Sequence, residues 1–149
     1  ISMKKSFLLF LIVILFSGCG VKNEDINTEL KIGDKIISIE TVDTFSGRRQ
    51  GLSGRDSLCQ DCGLFFVFDE KDTHIFWMKD MKFPIDIIWI DDNTVVEIAK
   101  NAEIPSNGNI PSYTPSKKAN KVLEVNAGFC EKYGIKVGET VKILTEKGK

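Results

Sequence analysis

Histidine, basic clusters and catalytic motifs are scarce in this chain, and each scarcity excludes a class of function. His74 is the single histidine among 149 residues, so a Ser-His-Asp or Cys-His mechanism has no other histidine to use. No block of basic residues occurs, and the formal net charge is −1, which excludes the electrostatic footprint of a nucleic-acid-binding protein. No Gly-x-Ser-x-Gly elbow, phosphate-binding loop or dinucleotide fingerprint is present. The sequence therefore predicts no cofactor and no nucleic-acid partner.

The purely apolar run Phe7–Phe16 follows two lysines and precedes Ser17-Gly18-Cys19. It is too short to cross a bilayer, which takes about 20 residues, and its length is typical of a signal-peptide core. The stretch Leu15–Cys19 resembles the bacterial lipobox, in which the cysteine becomes the lipidated first residue of the mature protein. We expect residues 1–18 to be a lipoprotein signal peptide. Lipid on Cys19 would then hold the mature chain on a membrane, outside the cytoplasm; an ordinary signal peptide or an uncleaved anchor is the alternative.

The chain after the predicted signal peptide divides into three parts. Residues 19–29 are polar and lack periodicity, as expected of a tether. Residues 30–145 are predicted to form a single all-β domain, and residues 146–149 a solvated tail. About eight short strands alternate with turn signals, which favours an antiparallel β-sandwich or barrel. Two short helices, at Phe45–Leu52 and Ala127–Tyr133, complete the prediction.

The apolar centre of the domain is Gly63–Asn93, which contains both tryptophans. Leu64–Phe68 is an unbroken apolar run that is too short for a helix, and it predicts a buried strand. His74–Met78 and Pro84–Ile90 are predicted as the next two strands. Because Trp77 lies in the densest apolar stretch, we expect it to be part of the core.

Several sequence blocks resemble the family known as domain of unknown function 192. In chain order they are Arg49-Gln50-Gly51-Leu52 with Arg55 and Leu58, Gly63–Phe68, Phe76-Trp77-Met78-Lys79, Pro84–Ile90, Leu123-Glu124-Val125, Ala127-Gly128 and Gly134–Gly138. The resemblance covers about residues 30–145. It implies a compact β-sandwich or barrel of jelly-roll kind, often exported, and it implies no known substrate. One departure is the loop Ser57–Gly63, which carries two cysteines where the family usually has proline and acidic residues.

Arg55, Lys79 and Asp86 are the polar residues embedded most closely in these blocks. Ile75, Trp77 and Lys79 share one face of the predicted strand, and Lys79 and Asp86 flank the same turn. One interpretation is a pocket floored by Trp77 that binds an anion or a sugar-like ligand. The other is a salt bridge that fixes the turn, with Trp77 in the core. Because the sequence contains no assembled nucleophile, base or metal motif, it favours a non-catalytic module that binds an unknown small ligand or an envelope protein; a hydrolase using Lys79 and Asp86 is an alternative.

Cys59 and Cys62 allow three interpretations. In an exported protein, a structural disulfide is the default. A metal site would also recruit Cys130 and His74, although one Cys-x-x-Cys with scattered partners is a weak signal. A redox-active pair normally opens a helix, whereas this pair leads into a strand. The disulfide is favoured, with no metal, and a thiol-redox or metal-handling protein is the alternative function. Cys130 is predicted to be a buried free thiol.

Overall fold

The computed structural model describes residues 28–144, so the predicted signal peptide, Cys19, most of the tether and the tail lie outside the described residues. Between Thr28 and Leu144 no helix has the length and apolar character needed to cross a membrane. The described chain forms nine strands and two short helices. The strands are β1 (Thr28–Ile32), β2 (Lys35–Val42), β3 (Cys62–Asp72), β4 (Phe76–Trp77), β5 (Ile85–Asp91), β6 (Thr94–Ala102), β7 (Ser112–Tyr113), β8 (Ala119–Asn126) and β9 (Val141–Leu144), and the helices are α1 (Phe45–Gln50) and α2 (Phe129–Lys132).

Seven strands form one strongly curled sheet in the order β6-β5-β8-β3-β2-β1-β9, while β4 and β7 pair separately. The curl brings the two edges together at one end. There the Val141 amide donates to the Asn93 carbonyl at 2.8 Å, and the Val95 amide donates to the Glu139 carbonyl at 2.9 Å. The prediction of a mostly β domain with two short helices is confirmed, and its form is a half-barrel.

One strand pair departs from the predicted antiparallel arrangement, because β2 and β3 are parallel. Parallel neighbours need a crossover of a dozen residues or more, and residues 43–61 provide it, with α1 inside. The Thr44 hydroxyl caps α1 by accepting from the Gly47 amide at 3.1 Å. A Cβ atom on Gly47 would lie 2.8 Å from the Val42 side chain, so glycine lets this helix pack directly against the end of β2. The crossover therefore fixes α1 at that end of the sheet.

The sheet buries apolar side chains on both faces, and neighbouring residues along a strand enter different clusters. Phe65 and Ile88 belong to the cluster that includes α2, whereas Phe66 and Trp89 belong to the cluster beneath α1. Trp89 is only 1% exposed, but Trp77 is 47% exposed. The prediction that Trp77 is a core residue is therefore wrong.

The strand containing Trp77 shows the reason for the error. Phe76 and Met78 point inward and are buried, so that Trp77 between them points outward. Ile75 is also exposed, which confirms the predicted shared face. An aromatic run fixes which residues share a face, but it does not fix which face is buried.

Candidate functional site

A cleft of about 540 Å³ lies between α1 and the turn that follows β4. Side chains of both signs and two aromatic rings face it, and we call it the polar cleft. Its lining residues are Phe45, Ser46, Arg49, Gln50, Ser53, Gly54, Trp77, Lys79 and Asp80.

Two hydrogen bonds join the two walls of the polar cleft, and a third lies within the wall that contains α1. The Gln50 side-chain amide donates to the Ser53 carbonyl at 2.8 Å, and the Ser53 hydroxyl donates to the Lys79 carbonyl at 2.7 Å. The Gly54 amide donates to the Asp80 carbonyl at 2.9 Å. Asp80 has a left-handed backbone, with φ 57°, which is uncommon for a residue other than glycine. These bonds fix the Lys79 backbone against the loop that follows α1.

An apolar groove of about 660 Å³ adjoins the polar cleft and shares Phe45, Arg49 and Trp77 with it. Three of its large apolar side chains are well exposed: Phe45 at 77%, Ile75 at 64% and Trp77 at 47%. Contiguous exposed apolar surface is uncommon in monomeric proteins unless it contacts a ligand, a partner or a membrane. The full lining is Phe45, Arg48, Arg49, Phe68, Ile75, Trp77 and Ser112.

The two cavities carry an excess of positive charge. Within residues 28–144, neither Arg49 nor Lys79 forms an ion pair. The Lys79 ammonium lies 5.6 Å from the centre of the Trp77 ring, within the range of a cation–π contact. Arg48 is more constrained, because its guanidinium donates to the Val67 carbonyl at 2.8 Å. Asp80 is the single carboxylate among the lining residues, so the combined surface suits an anion.

The structure does not bring Arg55, Lys79 and Asp86 together. The Arg55 guanidinium forms two hydrogen bonds of 2.8 Å to the carboxylate of Glu40, and this pairing lowers the pKa of Glu40. Of the four predicted pocket residues, only Trp77 and Lys79 line the same cavity.

Asp86 is fully buried. Its carboxylate accepts from three backbone amides, those of Asn101 at 2.8 Å, Cys130 at 2.8 Å and Gly128 at 3.2 Å. These bonds hold the carboxylate inside the domain, whereas Lys79 is exposed. The predicted Lys79–Asp86 salt bridge is absent from residues 28–144, and the two residues do not form the pair that the hydrolase interpretation requires.

Cys59 and Cys62 form a disulfide in the structure, with Cα atoms 5.2 Å apart. The Asn126 side chain supports this loop by donating to the Cys59 carbonyl at 3.0 Å. Cys62 is the first residue of β3, so the pair does not open a helix whose dipole would lower a thiol pKa. The disulfide therefore links the loop before β3 to the first residue of that strand.

The other two residues of the alternative metal site lie in different surroundings. Cys130 is buried, and burial, with the Asp86 carboxylate nearby, raises its thiol pKa. His74 stacks on Phe68 with ring centres 3.6 Å apart. In the described part of the chain, no three or more His, Cys, Asp or Glu residues form a group that could hold a metal ion. The cysteines and His74 are therefore not assembled as ligands.

Glu124 is a buried titratable residue that the sequence pattern did not reveal. It is 4% exposed, and one of its carboxylate oxygens has no hydrogen-bond partner among the described residues. A Cβ atom on Gly51, at the end of α1, would lie 3.8 Å from that oxygen. Burial raises the pKa of Glu124 to about 8, and the charge of Arg55 opposes the shift. The residue therefore lies behind α1 as a neutral acid at pH 7.

A model of the family DUF192, described as Uncharacterized ACR, matches residues 28–143. The chain belongs to the DUF192 family. No curated protein matches it.

Two solved structures share the DUF192 chain's fold. One is a Sinorhizobium meliloti protein described as a candidate transcription regulator, with 26% identity and a TM-score of 0.72 over 78% of this chain and 92% of that protein. The other is a Novosphingobium aromaticivorans protein of unknown function, with 27% identity and a TM-score of 0.71 over 76% of this chain and 83% of that protein. In this DUF192 domain, the Arg49–Leu52 and Phe76–Lys79 blocks both contribute side chains to the polar cleft.

Proposed function

We propose that this DUF192 protein is a lipid-anchored, non-catalytic binding module outside the cytoplasm, and that its ligand occupies the polar cleft and the apolar groove. The observation that carries the binding proposal is the placement of two exposed aromatic side chains, Phe45 and Trp77, beside Arg49 and Lys79. These two cations form no ion pair with any residue between Thr28 and Leu144. Ligand sites typically combine apolar walls with a few convergent polar groups. The ligand class supported best is an anion with an apolar or sugar-like face.

The anchoring part of the proposal depends on the N-terminal sequence. Two lysines, a ten-residue apolar run and Cys19 occur in the order that a lipoprotein precursor requires. A lipid on Cys19 would make the membrane a permanent partner of the domain. An exported location also agrees with a disulfide at Cys59 and Cys62.

A fluorescence titration tests ligand binding, because Trp77 lies in the cleft while Trp89 is buried. Glycerol 1-phosphate and glucuronate are the anionic probes, and glycerol and glucose are their neutral counterparts. We expect both anions to change the Trp77 emission and the neutral probes to have little effect. Lys79→Gln should weaken anion binding by about tenfold, as expected for loss of one charge-assisted contact.

The matched control is Lys82→Gln, which removes an exposed cation that pairs with Asp56 and does not line either cavity. It should leave the anion affinity unchanged. Trp77→Phe should remove the fluorescence response while leaving the domain folded. Equal responses to charged and neutral probes, or equal losses in the Lys79 and Lys82 variants, would contradict the proposed site.

A further inference from the structure

The binding surface has a polar half and an apolar half that meet at the same side chains. Phe45, Arg49 and Trp77 line both cavities. The polar cleft adds the Lys79 cation, and the groove adds the exposed Ile75. A ligand that fills both halves needs a negatively charged end joined to a long apolar part, which is the chemistry of an anionic lipid.

The strand register places this surface at the end of the sheet where the N-terminal segment enters. Thr28, the first residue of β1, lies opposite Ile39 of β2. Strand β2 then continues only to Val42 before α1 begins at Phe45. The chain therefore enters the fold at the same end of the sheet as the helix that lines both cavities.

The length of chain between Cys19 and Thr28 limits how far an anchored domain can move from a membrane. Thr28 is nine positions after Cys19, and a fully extended chain covers at most about 32 Å over nine residues. A short tether also keeps the effective concentration of lipid near the domain high, because headgroup binding by an anchored domain is intramolecular. Even weak affinity for a lipid headgroup is then sufficient for docking.

The side-chain composition matches that of interfacial membrane contacts. Tryptophan and phenylalanine prefer the boundary between headgroups and acyl chains, and basic residues beside them are attracted to anionic headgroups. Phe45, Ile75 and Trp77 provide the apolar contacts, and Arg49 and Lys79 provide the charge.

We propose that the ligand of this surface is an anionic phospholipid of the membrane in which Cys19 is anchored, with the headgroup phosphate in the polar cleft and an acyl chain against the apolar groove. This inference rests on the proposed function, and it identifies the ligand as a component of the membrane that anchors the protein. Docking then orients the domain, with α1 and β4 against the lipid surface.

The test uses the mature lipidated protein reconstituted into vesicles of phosphatidylcholine, with or without phosphatidylglycerol. The acyl chains carry bromine, which quenches tryptophan that enters the lipid. We expect quenching of Trp77 in vesicles that contain phosphatidylglycerol and little quenching in phosphatidylcholine alone. The residual emission should come from Trp89, which is buried in the core, and Trp77→Phe should abolish the quenching.

Charge-removing variants distinguish docking onto lipid headgroups from the proximity to the membrane that the anchor alone provides. Because each basic residue near an anionic surface contributes to attachment, Arg49→Gln with Lys79→Gln should lower the docking equilibrium by about 30-fold. Lys117→Gln with Lys136→Gln removes two exposed cations that do not line the two cavities and should have little effect. All four side chains are exposed, and unchanged melting temperatures would verify that the variants are folded.

Three outcomes overturn the lipid assignment: no quenching in either vesicle, equal quenching in both, or equal losses in the two double variants. If glycerol 1-phosphate still changes the Trp77 emission, the ligand is a soluble anion and the proposed binding function stands without the lipid. If neither vesicles nor soluble probes have an effect, the proposed function fails as well.

Discussion

Trp89→Ala is expected to lower the free energy of unfolding by about 3–5 kcal/mol, the usual cost of removing a large buried aromatic side chain. Trp89 is 1% exposed and packs edge-on against Phe76, with ring centres 6.1 Å apart. Its indole N–H donates to the His74 carbonyl at 2.9 Å, so truncation also leaves a partly buried acceptor without its donor. Since small domains have total stabilities of about 5–15 kcal/mol, this variant should be close to unfolding.

The matched variant is Trp77→Ala, which removes the same side chain from the surface. Trp77 is 47% exposed, and surface substitutions usually change stability by less than about 0.5 kcal/mol. Urea unfolding followed by circular dichroism measures both variants without depending on tryptophan emission. Equal destabilisation of the two variants would show that the assignment of Trp89 to the core and Trp77 to the binding surface is incorrect.

Glu124→Gln is expected to remove a loss of stability that grows as the pH rises from about 4.5 to 8. In the unfolded chain Glu124 has the ordinary pKa of a glutamate. In the folded chain its pKa is about 8, because the carboxyl group is buried. Below pH 4.5 the group is protonated in both states and imposes no penalty. As pH rises toward 8, the unfolded state releases the proton while the folded state keeps it, so stability falls.

At pH 7 the burial of Glu124 lowers the free energy of unfolding by about 3 kcal/mol relative to pH 4.5, since each pH unit contributes roughly 1.4 kcal/mol. The change in unfolding free energy on going from pH 4 to pH 7 should therefore be more positive in Glu124→Gln than in the unsubstituted protein by about that amount. Urea titrations at a series of pH values measure it. Glu103→Gln, which changes an exposed carboxylate, is the control; if the Glu124 and Glu103 variants show parallel pH profiles, Glu124 is not the buried acid that the packing implies.

The strands that depend on local pattern could be predicted from the sequence. The alternation in Lys35–Val42 gives β2 with the observed bounds, and the Asp43-Thr44 cap signal places the start of α1 at Phe45. Strand β3 is longer than its local sequence pattern predicts. The charged stretch Asp69–Thr73 predicts a turn, but β3 continues to Asp72, which pairs with Ala119 of β8. That pairing is a long-range contact, and long-range pairing overrides local propensity.

The candidate site was predictable only in part, for a related reason. Trp77 and Lys79 stand out because they lie in a specific block that resembles a family. Phe45 lies outside these blocks. Arg49 begins one of them, but a six-residue helix is too short for its sequence to show which side chains remain exposed. The burial of Glu124 between apolar residues is likewise set by the sheet, in which β8 is flanked by β3 and β5.

The intact mass of the mature protein isolated from membranes shows whether lipid at Cys19 holds this binding module on a membrane. We expect a chain that begins at Cys19 and carries a diacylglyceryl group, and we expect Cys19→Ser to leave the membrane fraction without lipidated protein. A membrane-associated chain with an unmodified N-terminus, or a Cys19→Ser variant that is lipidated and processed as before, would contradict this expectation.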